Sequence, residues 1–216
     1  MLNIILMGPP GAGKGTHAKW MEEELHIPHI STGDMFREAM ASGSELGNQV
    51  KEIINRGDLV SDELTCALVK DRLLRDDCAN GYLLDGFPRT LAQAEALKKM
   101  GKEIGREPNM AINISCDDKI LISRVCTRRV CPHCGASFNI VSMKPKKEGI
   151  CDYCGSNLIQ RKDDNEESFK VRLANYYKST APLLDFYKAE GLLADFDGTL
   201  EAKTLKKELE KFLASK

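Results

Sequence analysis

Leu2-Asn3-Ile4-Ile5-Leu6-Met7-Gly8-Pro9-Pro10-Gly11-Ala12-Gly13-Lys14-Gly15-Thr16 joins a short apolar run to a glycine-rich turn and then to a helical pattern that continues to Leu25. In that setting Gly11, Gly13 and Gly15 let the backbone curl with its N–H groups inward, and the helix N-terminus adds positive potential. Lys14 sets a compact cation against terminal phosphates, while Pro9 and Pro10 stiffen the entry. The dinucleotide fingerprint, started at Gly11, requires glycine or alanine where Thr16 stands. A plain glycine-rich turn is the bland alternative, disfavoured by the strand before it and the helix after it. The stretch predicts a site for a nucleotide polyphosphate over Gly8–Thr16. Gly15 departs from the general pattern, which has Ser or Thr directly after the lysine. A magnesium ion is therefore expected to be held through water, with Asp85, after Tyr82-Leu83-Leu84, as the acid; the plain alternative for such an aspartate is a turn residue.

Five apolar runs alternate with helical patterns: Leu2–Met7, Ile27–Ile30, Tyr82–Leu84, Met110–Ser115 and Leu192–Phe196. Continuous short runs suit strands covered on both faces, so the expected fold is α/β with a parallel five-stranded sheet flanked by helices. Ligands of such sheets collect at the carboxyl ends of the strands, which brings Gly8–Thr16 and Asp85–Arg89 together. Two stretches break the alternation. Residues 31–60 are mostly helical, with Gly33, Gly43, Gly47 and Gly57 as punctuation; residues 127–164 hold paired cysteines, Pro132 and Pro145, without an apolar core of their own. Both are expected to be lids on a core of 1–30, 61–126 and 165–216. Asp164-Asn165-Glu166-Glu167 has the acceptor-x-x-Glu form of a helix start, and Phe169, Leu173, Tyr176 and Tyr177 give an apolar face before Pro182.

The 216 residues are 42% hydrophobic, enough for a substantial core, and 31 Lys and Arg against 32 Asp and Glu leave a net charge of −1. Bulk attraction to nucleic acid or anionic membrane is thus not expected, and an anion site must be local. The first apolar run lacks a basic flank and is too short for a signal peptide, and no run approaches eighteen apolar residues. A protein that is not exported is expected. Cys66, Cys78, Cys116 and Cys126 sit in apolar or mixed surroundings and read as packing residues.

Phosphoryl transfer needs charge neutralisation on donor and acceptor and little covalent chemistry from side chains, which directs attention to arginines. Arg37, Arg89, Arg124, Arg128, Arg161 and Arg172 stand beside motif-like segments, although any one alone reads as a solvated surface residue. Together with Gly8–Thr16, the segments Ser31-Thr32-Gly33-Asp34-Met35-Phe36-Arg37, Leu59-Val60-Ser61-Asp62-Glu63, Asp85-Gly86-Phe87-Pro88-Arg89-Thr90 with Gln93, and Arg161-Lys162-Asp163-Asp164 closely resemble the adenylate kinases, nearly end to end. The Gly15-Thr16 departure is the ordinary form of that family.

The resemblance implies a P-loop protein that transfers the γ-phosphoryl group of ATP to AMP, giving two ADP, with magnesium accompanying the nucleotide. It implies that Gly11, Ala12, Gly13, Lys14, Gly15 and Thr16, with Arg124 and Arg128, bind the ATP phosphates. Ser137, Phe138 and the turn ending at Leu200 would flank the donor nucleotide. Thr32, Arg37, Asp58, Leu59, Val60, Gly86, Phe87, Pro88, Arg89 and Gln93 would hold AMP, Gln93 through its adenine, with Arg161 and Arg172 joining the phosphate clamp. Lys14, Arg89, Arg124, Arg128, Arg161 and Arg172 would carry catalysis, and Asp163 and Asp164 would orient arginines. A cytoplasmic monomer is expected. A kinase for another nucleoside monophosphate would keep every phosphate contact and differ around Thr32, Val60 and Gln93.

Cys131-Pro132-His133-Cys134-Gly135 and Cys151-Asp152-Tyr153-Cys154-Gly155 form Cys-x2-Cys-x16-Cys-x2-Cys, the spacing of a four-thiolate zinc site. Four protein ligands leave no open position, so the zinc is expected to be structural, with His133 as a competing ligand and a disulfide as the alternative. In a lid lacking an apolar core, such a metal contributes folding free energy on the order of 10 kcal/mol. One group of adenylate kinases carries a lid of this kind. A nucleotide protein whose zinc ribbon grips nucleic acid, using Lys144, Lys146 and Lys147 beside Arg128 and Arg129, is the reading from a different class. Phe138 and Tyr153 alone offer stacking surfaces for it.

Overall fold

A computed structural model describes residues 1–216. Five parallel strands, β1 (Leu2–Met7), β2 (His29–Ser31), β3 (Gly81–Asp85), β4 (Met110–Ser115) and β7 (Leu193–Asp197), form one sheet in the order β2-β3-β1-β4-β7. The expected parallel five-stranded sheet is present. Alternate residues of β1 enter opposite faces: Ile4 and Leu6 pack with Ala18, Met21, Leu121 and Leu209, whereas Ile5 and Met7 pack with Val69, Leu73, Leu97 and Leu183. Both faces are apolar because helices cover both: α1 (Lys14–Leu25), α6 (Asp118–Cys126) and α9 (Ala202–Leu213) on one, α4 (Asp62–Leu73), α5 (Leu91–Ile104) and α8 (Leu183–Ala189) on the other.

The chain leaves β1 toward β2 and β3 on one side and builds β4 and β7 on the other. The loop after β1 thus lies where strand order reverses, above the carboxyl ends. Register then supplies neighbours, since Leu6 lies opposite Asp85 and Asp85 opposite Ser31.

Strand boundaries differ from the apolar runs by a residue or two. β2 starts at His29, not Ile27, because Pro28 has no N–H to donate to a ladder. Residues 31–60 form α2 (Thr32–Ala41) and α3 (Glu45–Arg56), which cross so closely that a Cβ on Gly47 would lie 2.1 Å from the Ala39 carbonyl oxygen. The expected cap at Asp164 is corrected: α7 (Glu166–Asn175) is capped by Asn165, whose side chain accepts from the Ser168 N–H at 2.9 Å. The Asp164 carboxylate is drawn away by Arg128 instead. A π-helical turn, Tyr176–Thr180, follows before Pro182 starts α8.

In residues 127–164 a small antiparallel ribbon, β5 (Arg128–Val130) and β6 (Ser137–Asn139), leads into two knuckles with matching hydrogen bonds. Gly135 N–H donates to Cys131 O at 3.1 Å and Gly155 N–H to Cys151 O at 3.0 Å. Cys131 N–H donates to Ala136 O at 2.8 Å and Cys151 N–H to Ser156 O at 2.9 Å. Both glycines take positive φ, 71° and 74°. This is the expected pseudo-repeat. The expectation of no apolar core is modified, because Cys131, Ala136, Phe138 and Cys151 are buried against Leu158 in a cluster of their own.

Gly8 couples the loop to the sheet. Its φ is +133°, and a Cβ there would lie 2.3 Å from the Ile114 carbonyl oxygen on β4. Gly8→Ala is therefore expected to strain the fold by about 2–3 kcal/mol and lower Tm by roughly 4–10 °C in a calorimetric scan.

Candidate active site

A single cleft of about 910 Å³ runs along the carboxyl ends of the strands. It gathers Gly11–Thr16, Thr32, Arg37, Asp58, Leu59, Val60, Asp85, Gly86, Pro88, Arg89, Gln93, Arg124, Arg128, Ser137, Phe138, Arg161, Arg172 and Leu200. Among the nucleotide-site residues anticipated above, Phe87 alone is missing from the wall. Its side chain is 1% exposed and packs into the core with Leu84 and Ala94, so only its backbone remains for a ligand.

The phosphate loop is built to leave donors free. Helices α2, α3, α4, α5, α6 and α7 each begin with a Ser, Thr, Asp or Asn side chain accepting a backbone N–H. Helix α1 begins at Gly13, φ 99°, with no side-chain cap. Thr16 N–H donates to Gly13 O at 3.0 Å, and the Lys14 and Gly15 N–H groups, on residues that line the cleft, remain for an anion to satisfy. Lys14 folds back over the loop, donating to the carbonyls of Gly8 at 2.7 Å and Pro9 at 3.0 Å. Burial, opposed by Asp85 and helped by Arg89, Arg172 and Arg128, pulls its pKa down to about 8.

The arginines are held in place by carbonyls and carboxylates. Arg89 Nε donates to Gly86 O at 2.7 Å, and the same oxygen accepts from Thr32 Oγ1 at 2.9 Å. Arg124 donates to Gly198 O at 2.7 Å. Arg128 is paired bidentately with the buried Asp164, and Arg172 with Asp163 at 3.0 Å. Asp34 holds two arginines at once: Arg37 on its own helix at 2.7 Å and Arg161 from the cysteine-bearing segment at 2.9 Å. Burial works against the Asp34 charge, but Arg37 and Arg161 outweigh it and hold the carboxyl at about 2. Burial, with neighbouring cations, drags Arg161 and Arg172 down to about 10 each. Arg161 Nε is buried with no partner, a donor in want of an acceptor. The cleft thus has unspent capacity for negative charge.

Asp85, at the end of β3, faces the loop, 3.9 Å from where a Gly15 Cβ would be, and its Oδ2 is 3.5 Å from His29 Nε2. Burial raises its pKa, yet the adjacent His29 imidazole and the Lys14 charge prevail, so it stays ionised. An ionised oxygen donor beside the phosphate loop fits a magnesium ion that keeps several waters.

The four cysteine sulfurs lie within 4.8 Å of one another. Cys131 and Cys154 are 3.3 Å apart and Cys134 and Cys151 3.6 Å, too far for disulfides and near the tetrahedron edge of about 3.8 Å that Zn–S bonds require. His133 is exposed and outside the cluster. The Ser156 hydroxyl and amide favour the thiolate of Cys154, as zinc ligation requires.

Three contributors escaped the sequence reading. Asp34 lay within a quoted motif, and its i, i+3 spacing to Arg37 on a helix was the available signal. His29 is brought to Asp85 only by the parallel register. His17, buried on α1, accepts from Trp20 Nε1 at 3.2 Å and stays neutral because burial, Arg124 and Lys206 push its pKa down to about 4.

A family model described as adenylate kinase matches residues 6–192. The chain is 52% identical over 197 residues to an adenylate kinase of Fervidobacterium nodosum, covering 91% of this chain and 90% of that one. It is 49% identical over 215 residues to one from Oceanobacillus iheyensis, covering all of both, and 47% identical over 212 residues to one from Archaeoglobus fulgidus, covering 98% of each.

The depressed Lys14 pKa has a measurable consequence. A bound polyphosphate compensates the charge, so Lys14 takes up a proton on binding at pH values above its free pKa of about 8. Calorimetric titration with ATP in two buffers of different ionisation enthalpy is expected to show uptake of roughly half a proton near pH 8, absent in Lys14→Met, with affinity falling as pH rises further.

Proposed function

The chain belongs to the adenylate kinase family, and on that premise we propose how its cleft divides the work of moving a phosphoryl group between ATP and AMP. The observation carrying this reading is the convergence of an uncapped helix N-terminus, Lys14 and six arginines on one cleft that Thr32, Val60 and Gln93 also line. ATP takes the half formed by Gly11–Thr16, Arg124, Arg128, Ser137, Phe138 and Leu200. AMP takes the half formed by Thr32, Arg37, Asp58–Val60, Gly86–Arg89 and Gln93. The phosphates meet between Lys14 on one side and Arg89, Arg161 and Arg172 on the other.

Transfer then needs no general base. The second pKa of a phosphate monoester is about 6, so the attacking oxygen of AMP is ionised near neutrality. What remains is alignment and electrostatic stabilisation. The arginines, held beforehand by Asp163, Asp164, Asp34 and the Gly86 and Gly198 carbonyls, need little reorganisation as charge develops on the transferring group. Direct in-line displacement follows from holding donor and acceptor in one cleft with no nucleophilic side chain between them. Magnesium, when bound with the nucleotide, supplies charge neutralisation across the phosphate oxygens. Asp85 would orient its waters, and His29 keeps that carboxylate in place.

Residues 31–60 and 127–164 serve as covers over a core of 1–30, 61–126 and 165–216. Asp34 and Arg161 belong to different covers, so their ion pair favours both being closed together, which excludes water from the γ-phosphate. A structural zinc on Cys131, Cys134, Cys151 and Cys154 holds the second cover together. The chain works as a monomer in the cytoplasm.

A coupled assay of ADP formation from ATP and AMP tests the reaction, and a panel of other monophosphates giving higher kcat/KM than AMP would sink the adenine assignment. Lys14→Ala is expected to lower kcat by roughly a hundredfold or more with a Tm no lower than that of the parent. Cys151→Ser is expected to lose the bound zinc, read by atomic absorption, and to lower the temperature of lid unfolding before transfer is impaired.

A further inference from the structure

Gln93 sits in the first turn of α5 and is 2% exposed, yet it lines the cleft. Both ends of its amide are engaged by protein partners. Oε1 accepts from the backbone N–H of Arg89 at 2.7 Å, and Nε2 donates to Asp62 Oδ1 at 2.7 Å. The other carboxylate oxygen of Asp62 accepts from Thr90 Oγ1 at 3.0 Å, and Thr90 Oγ1 accepts the Gln93 N–H at 3.1 Å. Asp62, Thr90 and Gln93 therefore form a closed ring joining the start of α4 to the start of α5.

The chemistry of the two partners decides which way the amide points. A backbone N–H can only donate and a carboxylate can only accept, so the carbonyl must face Arg89 and the NH2 must face Asp62. The flipped amide would set N–H against N–H and oxygen against oxygen. One lone pair of Oε1 and one hydrogen of Nε2 remain for the cleft, in a fixed order. Adenine presents a donor at its 6-amino group and an acceptor at N1. Hypoxanthine, its 6-oxo analogue, presents an acceptor and then a donor, the reverse order. An unrestrained glutamine matches either by flipping, whereas this one matches only the amino purine.

We infer that Asp62, which lies outside the cleft wall, is a positioning residue for base selection: it holds Gln93 in the single sense that accepts AMP and rejects inosine monophosphate. The inference rests on the reading of Gln93 as the group that meets the acceptor base, and it accounts for the tie between a glutamine of α5 and an acid of α4. Thr90 Oγ1 already caps α5, so the Asp62 contact is not needed for the helix start.

The test is kcat/KM for AMP and for inosine monophosphate with ATP as donor, in the parent, Asp62→Ala, Asp62→Asn and Gln93→Ala, with Tm as a folding control. Asp62→Ala is expected to shrink the AMP preference by roughly tenfold or more, through KM for AMP, with kcat at saturation within about threefold. Asp62→Asn moves the same way by less, since an amide can still accept from Nε2 but no longer dictates the sense; it decides the matter if Asp62→Ala does not fold. An unchanged preference in the Asp62 variants, with Gln93→Ala losing it, overturns the role of Asp62. An unchanged preference in Gln93→Ala overturns the reading of the base site itself.

Discussion

The approach of the Gly8 backbone to the Ile114 carbonyl is the constraint on which the site depends. No side chain fits there, so the loop after β1 can lie flat across the end of β4 and deliver α1 to the strand-order reversal with its N-terminus uncapped. Every other phosphate-directed group is placed relative to that helix end. Asp85 reaches it through the register of β3 with β1, and Lys14 is folded onto it by the Gly8 and Pro9 carbonyls. A sheet whose central strand is apolar on both faces makes the platform stiff enough for such exact placement to persist.

Around this anchor the cationic side chains are restrained by partners weaker than a polyphosphate. Carbonyl oxygens hold Lys14, Arg89 and Arg124; Asp164 holds Arg128, Asp163 with Asp164 holds Arg172, and Asp34 is shared between Arg37 and Arg161. These contacts fix direction without neutralising the cleft. The shared Asp34 also means that the segments bearing Arg37 and Arg161 are not independent, because each competes for the same oxygen.

Much of this was legible in the residues. Short apolar runs between helical patterns announced the parallel sheet, and glycine spacing beside Lys14 announced the phosphate loop. Cysteine spacing announced the four-sulfur cluster, down to the repeated knuckle. Partner choice was not legible, because it depends on contacts between segments far apart in the chain. Asp163 and Asp164 read alike, yet Asp163 meets Arg172 alone whereas Asp164 takes Arg128 and lies 3.6 Å from Arg172, and Asn165 is left to cap α7. His29 falls within the apolar run Ile27–Ile30, and only the register sets it against Asp85. Phe87 is expected at the site from the motif around it; its ring, two residues past the end of β3, packs into the core and leaves only its backbone toward the cleft. Apolar periodicity fixes which face of an element is buried and carries no information on which charge answers which.

The unneutralised cations also bear on the stability of the empty fold. Lys14, Arg161 and Arg172 bind protons less firmly here than in an unfolded chain, so each charged form opposes folding at neutral pH. The unfolded chain holds more protons than the folded one between pH of about 8 and the ordinary lysine range, and stability contributed by Lys14 rises across that window instead of falling. The enzyme is thus electrostatically frustrated by its own reaction centre. A polyphosphate bound in the cleft would supply the missing counter-charge, so occupancy of the site and stability of the fold are thermodynamically linked.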